Sequence, residues 1–176
     1  MTLSTTGKFL FCCSENSPIR VYKCGFATTQ KAYENNVFPL FKSLDRLEDI
    51  ISKSSGKYLL GNELTEADIR LYVTIVRFDP VYVQHFKTNI GTIRYKYVVS
   101  LPVAVIYNDS YPRLNSWLKH LYWEVPGFKE STNFHHIKAH YMTSHVSVCS
   151  CLIFELIQIN PHGIVCAGPI PHVEPL

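Results

Sequence analysis

Leu64-Thr-Glu-Ala-Asp-Ile69 sits immediately before a run of apolar residues, Leu71, Tyr72, Ile75 and Val76, at three- and four-residue spacing. A Thr followed three residues later by an acid is the signature of a helix start. The Thr65 hydroxyl can accept from the backbone N–H of Asp68, and the Asp68 carboxylate can reach back to the N–H of Thr65. Leu64 and Ile69 stand at the two positions of a hydrophobic staple. Asp68 lies in the first turn, where the helix dipole favours an anion. The helix is expected to end before Pro80, because proline has no N–H to donate and crowds the preceding turn. Its apolar residues cover much of its circumference, which predicts a buried central helix.

Three other segments read as helices. Val37, Leu40, Phe41, Leu44, Leu47, Ile50 and Ile51 form one apolar stripe, predicting a helix from about Thr29 to Ser52. Glu34, Lys42, Asp45, Arg46, Glu48 and Asp49 fall mostly off that stripe. Pro39 should bend the helix or loosen a turn, and Ser54-Ser-Gly56 ends it. Pro112 to Trp123 carries Leu114, Trp117, Leu118 and Leu121 on one face, with Pro112 at the start and Pro126-Gly127 as the break. Thr132 or Asn133 can cap a fourth helix that runs to about Tyr141 through Phe134 and Ile137. Several helices without a clear strand predict an all-α bundle. Met1 to Arg20 has no period and reads as an irregular lead-in. Residues 21–159 read as the helical domain, and 160–176 as a Pro- and Gly-rich tail. Two segments, about 97–110 and 146–158, are apolar and β-branched and interrupt the helical pattern as irregular insertions. Both contain Val-Ser, at Val99-Ser100 and Val146-Ser147, and are read as translated introns; as real residues they would be poorly ordered loops outside the bundle.

The bulk composition restricts the function classes. The chain has 176 residues, 47% hydrophobic and 18% charged, as expected for a globular domain. A net charge of +3 without a basic run argues against a nucleic-acid partner. No segment reaches the roughly 18 to 20 apolar residues of a membrane span. The six cysteines, Cys12, Cys13, Cys24, Cys149, Cys151 and Cys166, lack the spacing of a disulfide framework and suggest a reducing, cytoplasmic compartment. His136, His140, His145, Cys149 and Cys151 could suggest zinc. However, Cys-x-Cys is tighter than the usual ligand gap, so no metal is expected.

Five strings together carry a resemblance. They are Val21-Tyr-Lys-Cys-Gly-Phe-Ala-Thr-Thr-Gln30, Leu64-Thr-Glu-Ala-Asp-Ile-Arg70, Val76-Arg-Phe-Asp-Pro-Val-Tyr82, Thr132-Asn-Phe134 with His136-Ile-Lys138, and Ile159-Asn-Pro161. In this order and spacing they resemble the xi class of glutathione transferases, the S-glutathionyl-hydroquinone reductases. The resemblance covers nearly the whole chain from Val21 on, except for the two insertions. It implies the helical C-terminal domain of a two-domain enzyme. In that family a thioredoxin-like N-terminal domain carries the cysteine nucleophile, in a Cys-Pro-Trp/Phe-Ala type motif, and binds the co-substrate glutathione.

Cys12-Cys13 is followed by Ser-Glu-Asn and lacks that motif, so the nucleophile and its domain are expected to be absent and the chain alone inactive. Three tyrosines carry over. Tyr22 matches the proton donor at the leaving hydroquinone oxygen. Tyr82 and Tyr141 match residues that lower the pKa of the nucleophile. A phenolic O–H can donate to a thiolate or a phenolate, so these roles are chemically sound. Cys24 is expected to pack. Without a thioredoxin-like partner domain an apolar face would be left uncovered, which favours oligomers, a homodimer among them. The alternative function is a non-catalytic interaction or dimerisation module of the same fold.

Overall fold

The apolar stripes predicted from periodicity become the inner faces of a helical bundle in a computed structural model, which describes residues 18–91, 93 and 111–144. Both insertions and the tail lie outside the described residues. The helices are α1 (Pro18–Gly25), α2 (Gln30–Lys53) and α3 (Glu66–Arg77), then the short α4 (Val83–His85), α5 (Pro112–Glu124), the one-turn α6 (Phe128–Ser131) and α7 (Phe134–Ser144). A π-helical turn, Phe78–Tyr82, joins α3 to α4. Among the described residues the only bridge of β type is Tyr58 with Gly61.

α2 buries Val37, Leu40, Phe41, Leu44 and Leu47, the predicted stripe. Thr29 caps it, its hydroxyl accepting from the Ala32 N–H at 3.2 Å. The helix continues through Pro39 as one element. Two acids on its outer side do more than face water. Glu48 accepts from the backbone N–H groups of Arg113 at 2.7 Å and Leu114 at 2.8 Å, and Asp45 accepts from the Tyr111 hydroxyl at 3.0 Å. A side chain of α2 thus satisfies the open donors at the start of α5, where an anion also suits the helix dipole.

α3 is central, with Ala67, Asp68, Leu71, Tyr72, Thr74, Ile75 and Val76 buried. Asp68 is 0% exposed and makes four hydrogen bonds. One carboxylate oxygen accepts from the Thr65 N–H at 3.0 Å and the Thr65 hydroxyl at 2.7 Å. The other accepts from the Leu59 N–H at 2.9 Å and the Trp117 indole N–H at 3.0 Å. The capping pair therefore also ties the loop before α3 and the core of α5 to one carboxylate. The Thr65 hydroxyl donates to that carboxylate and makes no cap hydrogen bond of its own to the helix. The predicted staple is not buried: Leu64 and Ile69 are both exposed.

Two further expectations need correction. The irregular lead-in does not reach Arg20, because α1 starts at Pro18. Eight residues are too few for a visible period, and packing of the buried Val21 and Cys24 holds the helix instead. The helical path does not stop before Pro80. It widens into a π turn closed by the Val83 N–H on the Phe78 carbonyl, a wider ring that lets the chain pass proline without leaving the helix axis. Pro126-Gly127 breaks α5, but α6 follows at once. Gly127, at φ 91, takes the left-handed turn between them, and Glu130 accepts from its N–H at 2.9 Å. The cap of α7 is Asn133, whose side chain accepts from the His136 N–H at 3.0 Å.

Candidate functional site

Three elements that are far apart in sequence bring three hydroxyls together. Tyr22 comes from α1, Tyr82 from the end of the π turn and Tyr141 from the third turn of α7. The Tyr141 hydroxyl lies 3.1 Å from that of Tyr22 and 3.3 Å from that of Tyr82. Either oxygen of each pair can donate, so the three form a chain with Tyr141 in the middle. Tyr82 and Tyr141 are 4% and 5% exposed, whereas Tyr22 is only partly buried. Tyr82 and Tyr141 are thus the enclosed members of the trio and Tyr22 the less enclosed one.

Phe86 is the hub of the rings. Its centroid lies 4.6 Å from Tyr22, 5.7 Å from Tyr82 and 5.9 Å from Tyr141, the last edge-on. Phe86 needs Gly25. A Cβ at that position would sit 2.1 Å from the Phe86 ring, so only glycine lets α1 approach. This explains the glycine in the Tyr-Lys-Cys-Gly string. The π turn matters in the same way, because its extra residue per turn sets the direction in which Tyr82 leaves the helix. Asp79 fixes the turn from outside by accepting from the Ile93 N–H at 2.8 Å.

Burial is the chief cause of raised tyrosine pKa values here. Tyr22 and Tyr141 are both pushed up to about 12, and Tyr82 is raised as well. The charge of Arg77 acts on all three in the opposite sense. Arg77 belongs to the Arg-Phe-Asp-Pro-Val-Tyr string, but its spacing gave it no role. Only the bundle brings the C-terminus of α3 near all three rings. Arg77 also lines a cleft of about 430 Å³ between α3 and the α6–α7 corner, with Ile69, Tyr72, Val73 and His136.

The cysteine and metal readings divide by region. Cys24 is buried and its thiol is pushed up to about 11 by burial, so it packs and offers no thiolate near neutrality. Cys12, Cys13, His145, Cys149 and Cys151 lie outside the described residues. Among the described residues no three potential metal ligands cluster, and His136 and His140 are exposed.

Residues 30–120 match the model of the family described as glutathione S-transferase, C-terminal domain. The chain belongs to that family. Its similar proteins fall in the xi class. Glutathione S-transferase omega-like 2 of Schizosaccharomyces pombe is 54% identical over 154 residues, covering 88% of this chain and 41% of that protein. Glutathionyl-hydroquinone reductase YqjG of Escherichia coli is 44% identical over 149 residues, covering 85% and 37%. Its glutathione-bound structure matches with a TM-score of 0.72 at 38% identity, over 98% of this chain and 47% of that one. The xi glutathione transferase of Phanerochaete chrysosporium matches with a TM-score of 0.74 at 47% identity, over 98% of this chain and 49% of that one. This transferase domain thus spans about two fifths of the length of the curated relatives it matches. Among its described residues no helix is long and apolar enough to cross a membrane.

Proposed function

We propose that this domain forms the substrate-side wall of an enzyme that reductively removes glutathione from glutathionyl-hydroquinones. The observation that carries this reading is the convergence of Tyr22, Tyr82 and Tyr141 beside the Phe86 ring. An aromatic substrate can stack there and meet a phenolic donor. In this reading the sulfur-bearing ring carbon first gains a proton as a ring hydroxyl gives one up, forming the keto tautomer. A cysteine thiolate then attacks the glutathionyl sulfur, the C–S bond breaks, and its electron pair restores the aromatic ring with the charge on the hydroquinone oxygen. Glutathione, the co-substrate, then attacks the mixed disulfide and restores the thiolate, with glutathione disulfide as the oxidised product. Tyr22 gives its proton to the leaving hydroquinone oxygen, while Tyr82 and Tyr141 support the anions that form. The same reading puts the protein in a reducing cytoplasm.

In this reading the nucleophile belongs to a thioredoxin-like domain, and Cys24, buried with its thiol pushed up to about 11, does not take that role. We therefore expect no turnover of a glutathionyl-hydroquinone by this chain alone, and turnover when a cysteine-bearing thioredoxin-like domain of the family is fused ahead of Pro18. Activity of the isolated chain above background would refute the need for that domain. A fusion that folds and stays inactive would favour the non-catalytic interaction module. Ile69 and Val73, 49% and 47% exposed on α3, leave an apolar strip that a second domain or a homodimer partner could cover.

A further inference from the structure

We propose that Tyr33 is a positioning residue: from the first turn of α2 it holds the left-handed turn at Lys87 that sets the Phe86 ring in place. What this does for a substrate rests on the substrate-wall reading; the placing of the ring does not.

The chain turns sharply behind Phe86. α4 ends at His85, and Phe86 and Thr88 both donate their N–H to the Tyr82 carbonyl, at 3.1 Å and 3.3 Å. Lys87, between them, is left-handed at φ 59. Helix ends usually give that conformation to glycine, because a Cβ there crowds the following carbonyl. For a residue with a Cβ it is disfavoured roughly five- to thirtyfold in population. Such a turn persists only where its surroundings over-determine it. Lys87 itself is exposed, so the hold comes from its backbone and its neighbours.

The Tyr33 hydroxyl supplies one hold. It donates to the Lys87 carbonyl at 2.6 Å, across 54 residues of sequence. Burial raises its pKa, so it remains a donor at ordinary pH. Thr88, 0% exposed, anchors the far side of the turn by packing. The α1–α2 pair therefore grips two successive residues: Gly25 admits the Phe86 ring, and Tyr33 ties the carbonyl of Lys87. The ring held this way lies 4.6 Å from that of Tyr22 and edge-on at 5.9 Å from that of Tyr141. Without the tie, Lys87 falls back toward ordinary backbone angles. Because Thr88 is anchored, the change is absorbed at Phe86 and the ring tilts. Lys87→Gly removes the preference against the left-handed form, so the turn then keeps its shape without Tyr33.

The test reads the rings by NMR of the full chain carrying isotope-labelled tyrosine. The Tyr22 and Tyr141 signals are assigned by their Phe variants, and Phe86→Leu marks where they fall without the neighbouring ring. Tyr33→Phe keeps its own ring and loses only the hydroxyl. It should carry both sets of signals roughly half of the way to the Phe86→Leu positions, or further, as expected if most molecules leave the left-handed turn. Adding Lys87→Gly to Tyr33→Phe should bring them most of the way back. A tie that only stabilised the bundle would lower the melting temperature of Tyr33→Phe and leave these signals in place, and that result would overturn the proposal. Signals that stay displaced in the chain with both substitutions would overturn it too, since the left-handed turn would then not be what Tyr33 holds. The spectra contain no substrate. An inactive fusion would therefore count against the wall and leave the positioning standing, and unmoved signals would do the reverse.

Discussion

Asp68→Ala should unfold this domain more readily than any other single polar substitution in α3. The carboxylate accepts four hydrogen bonds. Two of its donors belong to residues that water does not reach: the N–H of Leu59, 1% exposed, and the indole N–H of Trp117, 2% exposed. Each buried donor left without a partner costs roughly 1 to 3 kcal/mol. The two donors of Thr65 are nearer the surface and can turn to water, so they add little. The sum is about 2 to 6 kcal/mol, with the low end reached if water enters the space left by the carboxylate.

Asp68→Asn separates this account from a simple packing effect. The amide oxygen can keep Leu59 and Trp117, but the NH₂ then faces the N–H of Thr65, and the expected cost is about 1 to 2 kcal/mol. Thr65→Ala should cost about 1 kcal/mol, because its hydroxyl is one donor of four. Urea unfolding followed by far-UV circular dichroism gives the three values, with an unchanged slope showing that the native and unfolded states are comparable. Near-UV ellipticity of the tryptophans reports the loss of the indole bond. A cost below about 1 kcal/mol for Asp68→Ala, or equal costs for the Ala and Asn variants, would refute the hydrogen-bond argument.

Four further outcomes are expected. Gly25→Ala places a methyl 2.1 Å from the Phe86 ring and should cost about 1 to 3 kcal/mol in urea unfolding, with altered tyrosine near-UV signal as the ring shifts. Glu48→Ala removes the acceptor at the start of α5 and should cost about 1 to 2 kcal/mol by the same measurement; a change near zero would mean that water caps α5 equally well. Lys87, at φ 59, is the one non-glycine residue with a left-handed backbone among the described residues, so Lys87→Gly should be neutral or stabilise by up to about 1 kcal/mol. Alkaline stability should fall as pH rises from 10, the usual tyrosine value, through about 12, because burial raises Tyr22 and Tyr141 in the folded state. The unfolded chain releases those protons first, so it gains over that window. Tyr22→Phe with Tyr141→Phe should flatten the slope in melts at stepped pH.

Much of the bundle was legible because helices leave a local record. α2, α5 and α7 were placed to within about a turn by their apolar spacing, and α3 by its capping pair. α1 was missed because two buried residues in eight make no period. The π turn was missed because Pro80 signals a stop locally, while the packing of Phe78, Val81 and Tyr82 pulls the chain onward as a wider helix. Glu48 read as a solvent-face residue, since nothing on its own helix shows that the start of α5 lies against it. At the site, the family strings singled out Tyr22, Tyr82 and Tyr141 but not their mutual contact, and not Arg77.

The sequence by itself determined the helices, the family and the residue types at the wall, because periodicity, caps and motif strings are properties of neighbouring residues. Only the tertiary structure decided that Asp68 is a four-bond hub rather than one half of a cap. It alone made Gly25 the seat of Phe86 and joined three hydroxyls from residues 22, 82 and 141 into one chain with Tyr141 in the middle. Those features depend on contacts between residues as far as 119 apart in sequence, which packing sets and local pattern does not record.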